Sequence, residues 1–322
     1  METRKLNEVL KEFLSKNQDL KYHTREAYKF AWHRLIDAIG DIDISEVTRN
    51  HIEDFRSWLV GQKYKPSGID SRLKNARPIM NWAVCRGYLE SDPFKGVRRP
   101  KVPQEEIKVF SDAELFVMLG CANLLWQLKI VTAASAGLRI GEIHNLTWSD
   151  IDFENDFIKV QSTKKTDKTW PWEAKNWNSR ILPLSGQLKE LFKKRAKELP
   201  PEEYPYPMQS KRRYEGLQIQ RRGKELPEKV RYRPDLNMKP WFSILRRCEI
   251  NNGRTFHDLR STAITNWLLY GDNGRPLPIQ EVQKLAGHQH VETTMRYAAC
   301  RKDLIHRAKL TIGATGLEPA TS

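Results

Sequence analysis

No apolar run in this 322-residue chain approaches the ~20 residues that a bilayer-spanning helix requires. The opening Met-Glu-Thr-Arg-Lys leads straight into an amphipathic stretch and lacks the apolar core of a signal peptide. The expectation is therefore a cytoplasmic protein with no membrane partner. Cysteine is equally scarce. Cys85, Cys121, Cys248 and Cys300 are scattered, with no Cys-x-x-Cys pair. That argues against a zinc site and a disulfide framework, and leaves the four as reduced, buried fillers. Acidic residues are in deficit: 40 Asp and Glu stand against 55 Lys and Arg, a formal charge of +15. Such a surplus favours a polyanionic partner, with nucleic acid first, because steering and counterion release both reward a basic surface.

The material that is present suits two folded domains, with 39% hydrophobic residues and ten Trp. Residues 1–97 read as all helix. Leu6, Val9, Leu10, Phe13 and Leu14 fall at helical spacing. A second stripe, Tyr28 to Ile39, is opened by Thr24 as N-cap and closed by Gly40. A third helix near 48–60 follows Thr48, and a fourth near 67–87 contains Pro78, expected to bend it. Residues 98–107 form a basic, proline-bearing linker. The second domain, 108–310, opens on the capping box Ser111-Asp-Ala-Glu114. Helices run to about 148, and strand signals follow at Ile151–Phe153, Ile158–Val160 and Arg180–Leu184. Helix then resumes, interrupted from Leu199 to Pro240 by a basic stretch read as a solvated loop. Residues 311–322 read as a flexible tail. The fold class is mainly α with a small antiparallel β-sheet.

Five residues carry chemistry. Arg139 sits in Ala-Gly-Leu-Arg139-Ile-Gly-Glu142, at the start of a helix bearing Ile143 and Leu146. His257 and Arg260 follow Thr255 in the first turns of another helix, and i, i+3 spacing places both on one face. Leu-Ala-Gly-His288 precedes Tyr297 by nine positions, and Gly287 suggests a turn that presents His288 to a cleft. Guanidinium matches phosphate geometry as a fixed cationic fork, and a phenol attacks once positive charge surrounds its target. Each element alone has an ordinary structural explanation: Arg139 pairing with Glu142, or Tyr297 as a packed aromatic. Their joint order does not.

The sequence Arg…His-x-x-Arg…Gly-His…Tyr resembles the tyrosine recombinase, or phage integrase, family, of the two-domain type seen in Xer-like and simple mobile-element integrases. The likeness extends to Thr24-Arg-Glu-Ala-Tyr28, to Ile79-Met-Asn-Trp-Ala83…Gly87…Asp92-Pro-Phe94 and to Leu146…Trp148…Asp150-Ile-Asp152. It implies a SAM-like helical core-binding domain and a catalytic domain of the DNA breaking-rejoining fold. By this resemblance Tyr297 is the nucleophile, forming a 3′-phosphotyrosine, while Arg139 and Arg260 clamp the phosphate. His257 moves the proton, and His288 donates to the phosphate. The family's hairpin lysine is Lys164, with Lys165 nearly as good, although the link between the flanking strands is long for a tight hairpin. Glu142 would orient Arg139. The implied activity is site-specific recombination through a Holliday junction, with neither metal, ATP nor cofactor. The implied partners are double-stranded DNA and three further copies of the chain in a tetramer on two DNA sites, with Leu304–Leu310 docking on a neighbour. A type IB topoisomerase and a catalytically silent DNA-binding relative are the alternatives.

Overall fold

The structure, a computed structural model, describes residues 4–174, 179–212, 214–215, 238–250, 253–271 and 274–298. The chain divides into two compact units, Met1–Glu105 and Glu106–Ser322.

The first unit holds α1 (Leu6–Lys16), α2 (Tyr22–Ile39), α3 (Arg49–Gly61) and α4 (Pro66–Cys85). Their apolar stripes face inward, so that Leu6, Trp32, Ile52, Phe55 and Ile79 are fully buried in one cluster. The Trp32 indole donates to the Leu6 carbonyl at 2.9 Å, tying α2 to the start of α1. One local expectation is corrected. Thr24 does not cap α2, which begins two residues earlier behind Lys21, because burial of Tyr22 draws the preceding turn into the helix. Pro78 lies within an unbroken α4, whose flanking Ile79, Met80 and Ala83 are held by the core. Tertiary packing there overrides the local cost of proline.

The second unit is built on α6 (Leu124–Ala136) and α10 (His257–Leu269), which bury almost every face. α6 is apolar around most of its circumference, as helices at the centre of a domain are, whereas α10 also buries the polar Arg260, Ser261, Thr262 and Thr265. Around them lie α5 (Asp112–Cys121), α7 (Ile140–Asn145), α8 (Gly186–Glu198), α9 (Lys239–Arg247) and α11 (Ile279–Ala286). A further helix, α12, covers 291–298. Ser111 caps α5 as its sequence predicts: its hydroxyl accepts from the Glu114 amide while the Glu114 carboxylate accepts from Ser111 N–H at 2.8 Å. The strands β1 (Ile151–Asp152), β2 (Phe157–Val160) and β3 (Arg180–Pro183) form an antiparallel sheet in sequence order. Ile158 pairs with Ile151 and Leu182, and Val160 with Arg180.

The long β2–β3 connection is itself a hairpin. Thr163 and Trp172 exchange backbone hydrogen bonds at 2.8 and 2.9 Å, and Thr166 N–H donates to the Thr169 carbonyl at the tip. Its return arm is anchored by Trp170, whose ring stacks on Tyr206 at 3.7 Å. Residues 199–215 are accordingly no solvated loop: Leu199, Tyr204, Tyr206 and Tyr214 are buried with Trp170 in a separate apolar cluster. The rest of that basic stretch, 216–237, lies outside the described residues, as do Leu304–Leu310 and the tail. The three cysteines among the described residues are not buried fillers either, and Cys300 lies outside those residues. Cys85 is exposed at the end of α4, and Cys121 and Cys248 are partly exposed. Among the described residues, no helix is long and apolar enough to cross a membrane.

Candidate active site

The C-terminal end of α11 organises the site. Gly287 takes a left-handed φ of 62° there, a conformation that a Cβ would penalise. Such a Cβ would also approach Arg180 Nη1 to 3.2 Å. The turn aims three successive carbonyls at three arginines. Arg180 Nε donates to Leu285 O at 2.9 Å, Arg260 Nη2 to Ala286 O at 2.5 Å, and Arg139 Nη2 to Gly287 O at 3.1 Å. The partial negative charge at a helix C-terminus favours this gathering of cations.

Each arginine comes from a different element. Arg139 caps α7 just after Gly137, whose φ of 63° turns the chain out of α6. Arg260 stands one turn into α10 at 1% exposure, and its Nη1 donates to Gly137 O. Arg180 opens β3. Burial foremost, then the charge of Arg139, brings the Arg260 guanidinium down to about 9, which leaves it cationic at neutral pH. Glu142, 4% exposed, binds both neighbours. Its Oε1 accepts from Arg139 Nη1 and Arg180 Nη1 at 3.0 Å each, and its Oε2 from Arg180 Nη2 at 2.7 Å and the Arg139 amide at 2.8 Å. Burial alone would raise this carboxyl. The Arg180 hydrogen bonds and charge, joined by Arg139, override that and bring it to about 2.

Both histidines are held neutral. His257, the first residue of α10, is pushed below the usual imidazole value by burial, then by the charges of Arg260 and Arg139. His288 is depressed to about 4 by burial and by Arg260, Arg139, His257 and Arg180. Its Nδ1 lies 2.9 Å from the Thr294 hydroxyl. Its ring lies nearly parallel to that of Tyr297, centroids 6.0 Å apart. Tyr297, at 8% exposure on α12, sits at the edge of the second unit's core.

The structure thus brings Arg139, His257, Arg260, His288 and Tyr297 together, and the Arg139–Glu142 pair expected from sequence is present. It does not bring the lysines in. Lys164 and Lys165 are exposed on the outgoing arm of the hairpin, and neither makes a hydrogen bond or ion pair to the cluster among the described residues. Sequence reasoning missed Arg180, which reads only as the first residue of a strand. No sequence signal marked it, because its partners Glu142 and Leu285 lie far away along the chain. Asn145, which accepts the Trp170 indole N–H at 2.7 Å and so moors the lysine hairpin to α7, gave no signal at all.

Comparison with known proteins fits this arrangement. Residues 120–303 match the phage integrase family, and residues 5–102 the phage integrase SAM-like domain. A tyrosine recombinase of Pseudothermotoga lettingae is 26% identical over 268 residues, covering 80% of each chain. The tyrosine recombinase XerA of Saccharolobus solfataricus is 27% identical over 288 residues, covering 85% of this chain and 81% of its own. Among solved structures, the Tn1549 transposon integrase in complex with a circular intermediate DNA superposes with a TM-score of 0.70 at 15% identity. That match covers 94% of this chain and 99% of the other. A lambda integrase dimer bound to a COC′ core site gives 0.66 at 16%, covering 92% and 77%. The mainly helical architecture with its small antiparallel sheet is the fold these integrases share. With the family matched over more than half its length, this chain belongs to the phage integrase family of tyrosine recombinases.

Proposed function

We propose that the chain is a site-specific DNA recombinase that breaks and rejoins strands through a 3′-phosphotyrosine. The observation that carries this reading is the convergence of cationic Arg139 and Arg260 with two neutral imidazoles on the corner that bears Tyr297. The arginines hold the non-bridging oxygens and stabilise the added charge of the pentacoordinate state. Tyr297 Oη attacks phosphorus in line while the bond to O5′ breaks. Its proton passes to His257, whose lowered pKa keeps a lone pair available at neutral pH. His288 Nδ1 pairs with the Thr294 hydroxyl; in the tautomer in which that hydroxyl donates, the imidazole proton is on Nε2 and is given to the phosphate as a hydrogen bond. Lys164, or Lys165 beside it, protonates the leaving O5′ from the hairpin. One phosphodiester is exchanged for another, so rejoining draws on neither ATP nor metal.

Residues 1–97 and 108–310 each contribute to holding the duplex, joined by the cations of 98–107. The charge of +15 supports double-stranded DNA as partner. A lambda integrase tetramer bound to a Holliday junction shares the fold at a TM-score of 0.65, and supports a tetramer exchanging strands between two sites. A cytoplasmic, DNA-associated location follows from that role. The test is Tyr297→Phe on a nicked suicide substrate. DNA affinity should persist and the covalent protein–DNA adduct disappear. An adduct formed by the variant would remove Tyr297 as nucleophile.

A further inference from the structure

We infer that Arg180 is a positioning residue for the strand-cleavage site, acting through Glu142 on Arg139 and through Leu285 on the corner that carries His288. This rests on the phosphate-clamp reading of Arg139 above.

The geometry is a closed ring. Arg139 reaches Glu142 at 3.0 Å and Gly287 O at 3.1 Å. Arg180 reaches the same carboxylate with both terminal nitrogens, at 3.0 and 2.7 Å, and Leu285 O with Nε at 2.9 Å. The start of α7, the start of β3 and the end of α11 are thereby pinned to one another by two guanidinium forks and one carboxylate. Arg180 is 10% exposed, and all three of its donor directions are engaged within the protein. It is committed to the frame rather than presented to a ligand. Arg139 is the more open of the two, at 25%. Without Arg180, Glu142 loses its bidentate partner. The carboxylate that sets the Arg139 rotamer is then free to swing, and the Gly287 corner loses one of its three ties. A displacement of about 1 Å at a reacting group costs roughly 100-fold in rate. Lysine cannot replace it, because one ammonium cannot span two carboxylate oxygens and a carbonyl in that fan.

The experiment is a double-mutant cycle on the full chain, read as single-turnover cleavage of a suicide substrate at saturating DNA. Arg180→Met, Glu142→Ala and the double variant are compared, with DNA affinity and melting temperature measured for each. Arg180→Met should slow cleavage by roughly 10- to 100-fold while DNA affinity stays within about threefold of wild type. The double variant should fall no more than about threefold below the slower single variant, because both substitutions open the same ring. Losses that multiply, a wild-type rate for Arg180→Met, or a loss confined to DNA affinity would each overturn the assignment. Should Arg180→Met fail to fold, Arg180→Lys, which keeps the charge but not the fork, carries the same cycle. Arg139→Ala run alongside separates the two levels. If it cleaves at the wild-type rate, the clamp reading itself falls. If it is inactive while the cycle multiplies, only the role of Arg180 falls.

Discussion

The cations that converge on α11 should make His288 a measurable acid liability. Its imidazole ordinarily titrates near 6.5 and is held at about 4 here by burial and by Arg260, Arg139, His257 and Arg180. The folded protein therefore refuses a proton that the unfolded chain accepts. Stability tied to this ring is complete above pH 6.5, declines as pH falls through that value, and is fully lost below about 4. Between pH 7.5 and 5 the two affinities differ in free energy by about 2 kcal/mol at full weight. Solvent screening at a half-buried ring leaves about 1 kcal/mol of that. For a unit of this size, 1 kcal/mol moves the melting temperature by roughly 2–4 °C.

Glu142 is shifted in the same direction but titrates in a different, more acidic window. Its depressed carboxyl contributes stability above about 4.5 that is lost only as pH falls towards 2. The comparison that isolates His288 is the melting temperature of wild type and of His288→Gln, followed from pH 7.5 to 5. Glutamine cannot titrate, so the variant should lose roughly 2–4 °C less than wild type over that range. His257, which is also depressed, remains in both proteins, so the difference reads His288 together with its coupling to His257. Parallel curves would mean that His288 does not feel the charges assembled around it, and the electrostatic account of the site would fail.

Two further outcomes test what holds the site in place. Gly137→Ala would put a methyl 2.6 Å from Trp267 Cη2 at a φ of 63°. Overpacking and left-handed strain together should cost about 2–4 kcal/mol by urea denaturation. A loss under about 0.5 kcal/mol would show that α6 and α10 are not tightly apposed there. Trp170→Ala removes the stack on Tyr206 and the hydrogen bond to Asn145. It should destabilise the second unit by about 3 kcal/mol and slow cleavage of ordinary DNA. Substrate with a 5′-bridging sulfur, which leaves without a proton, should recover most of the rate. No recovery would show that the hairpin is not needed to protonate the leaving group.

How much of this was legible from sequence depends on the range of the interaction. The stripes of α1 to α4, the Ser111–Glu114 box and the Arg139–Glu142 pair are contacts within a few residues, and periodicity or spacing reveals them. The recombinase resemblance located Tyr297 and its four companions because their order along the chain is distinctive. Arg180 bonds Glu142 from 38 positions away and Leu285 from 105, and nothing local to Arg180 marks either bond. The same holds for Tyr206 under Trp170, 36 positions apart. The stretch from Leu199 was misread because tyrosines among lysines and prolines look solvated until a partner surface is known. Thr24 failed as a cap for the converse reason: a good local signal lost to burial of Tyr22 two residues before it.

The site's charges account for its resting state and bear on the proposed reaction. Among the described residues, Arg139 and Arg180 are ion-paired to one shared carboxylate, and all three arginines bond the carbonyl end of α11, so the corner keeps a net positive field. That field suppresses protonation of His257 and His288, alongside burial. A phosphodiester entering the arginine clamp supplies the missing negative charge. It must weaken the field at the imidazoles and raise their proton affinity. In the proposed reaction His257 then becomes a stronger base at the moment Tyr297 has to release its proton. An imidazole with an ordinary pKa in the empty site would be partly protonated near neutrality and unable to accept one. In that proposed reaction the arginines of the phosphate clamp thus join burial in keeping the base unprotonated until the phosphate arrives.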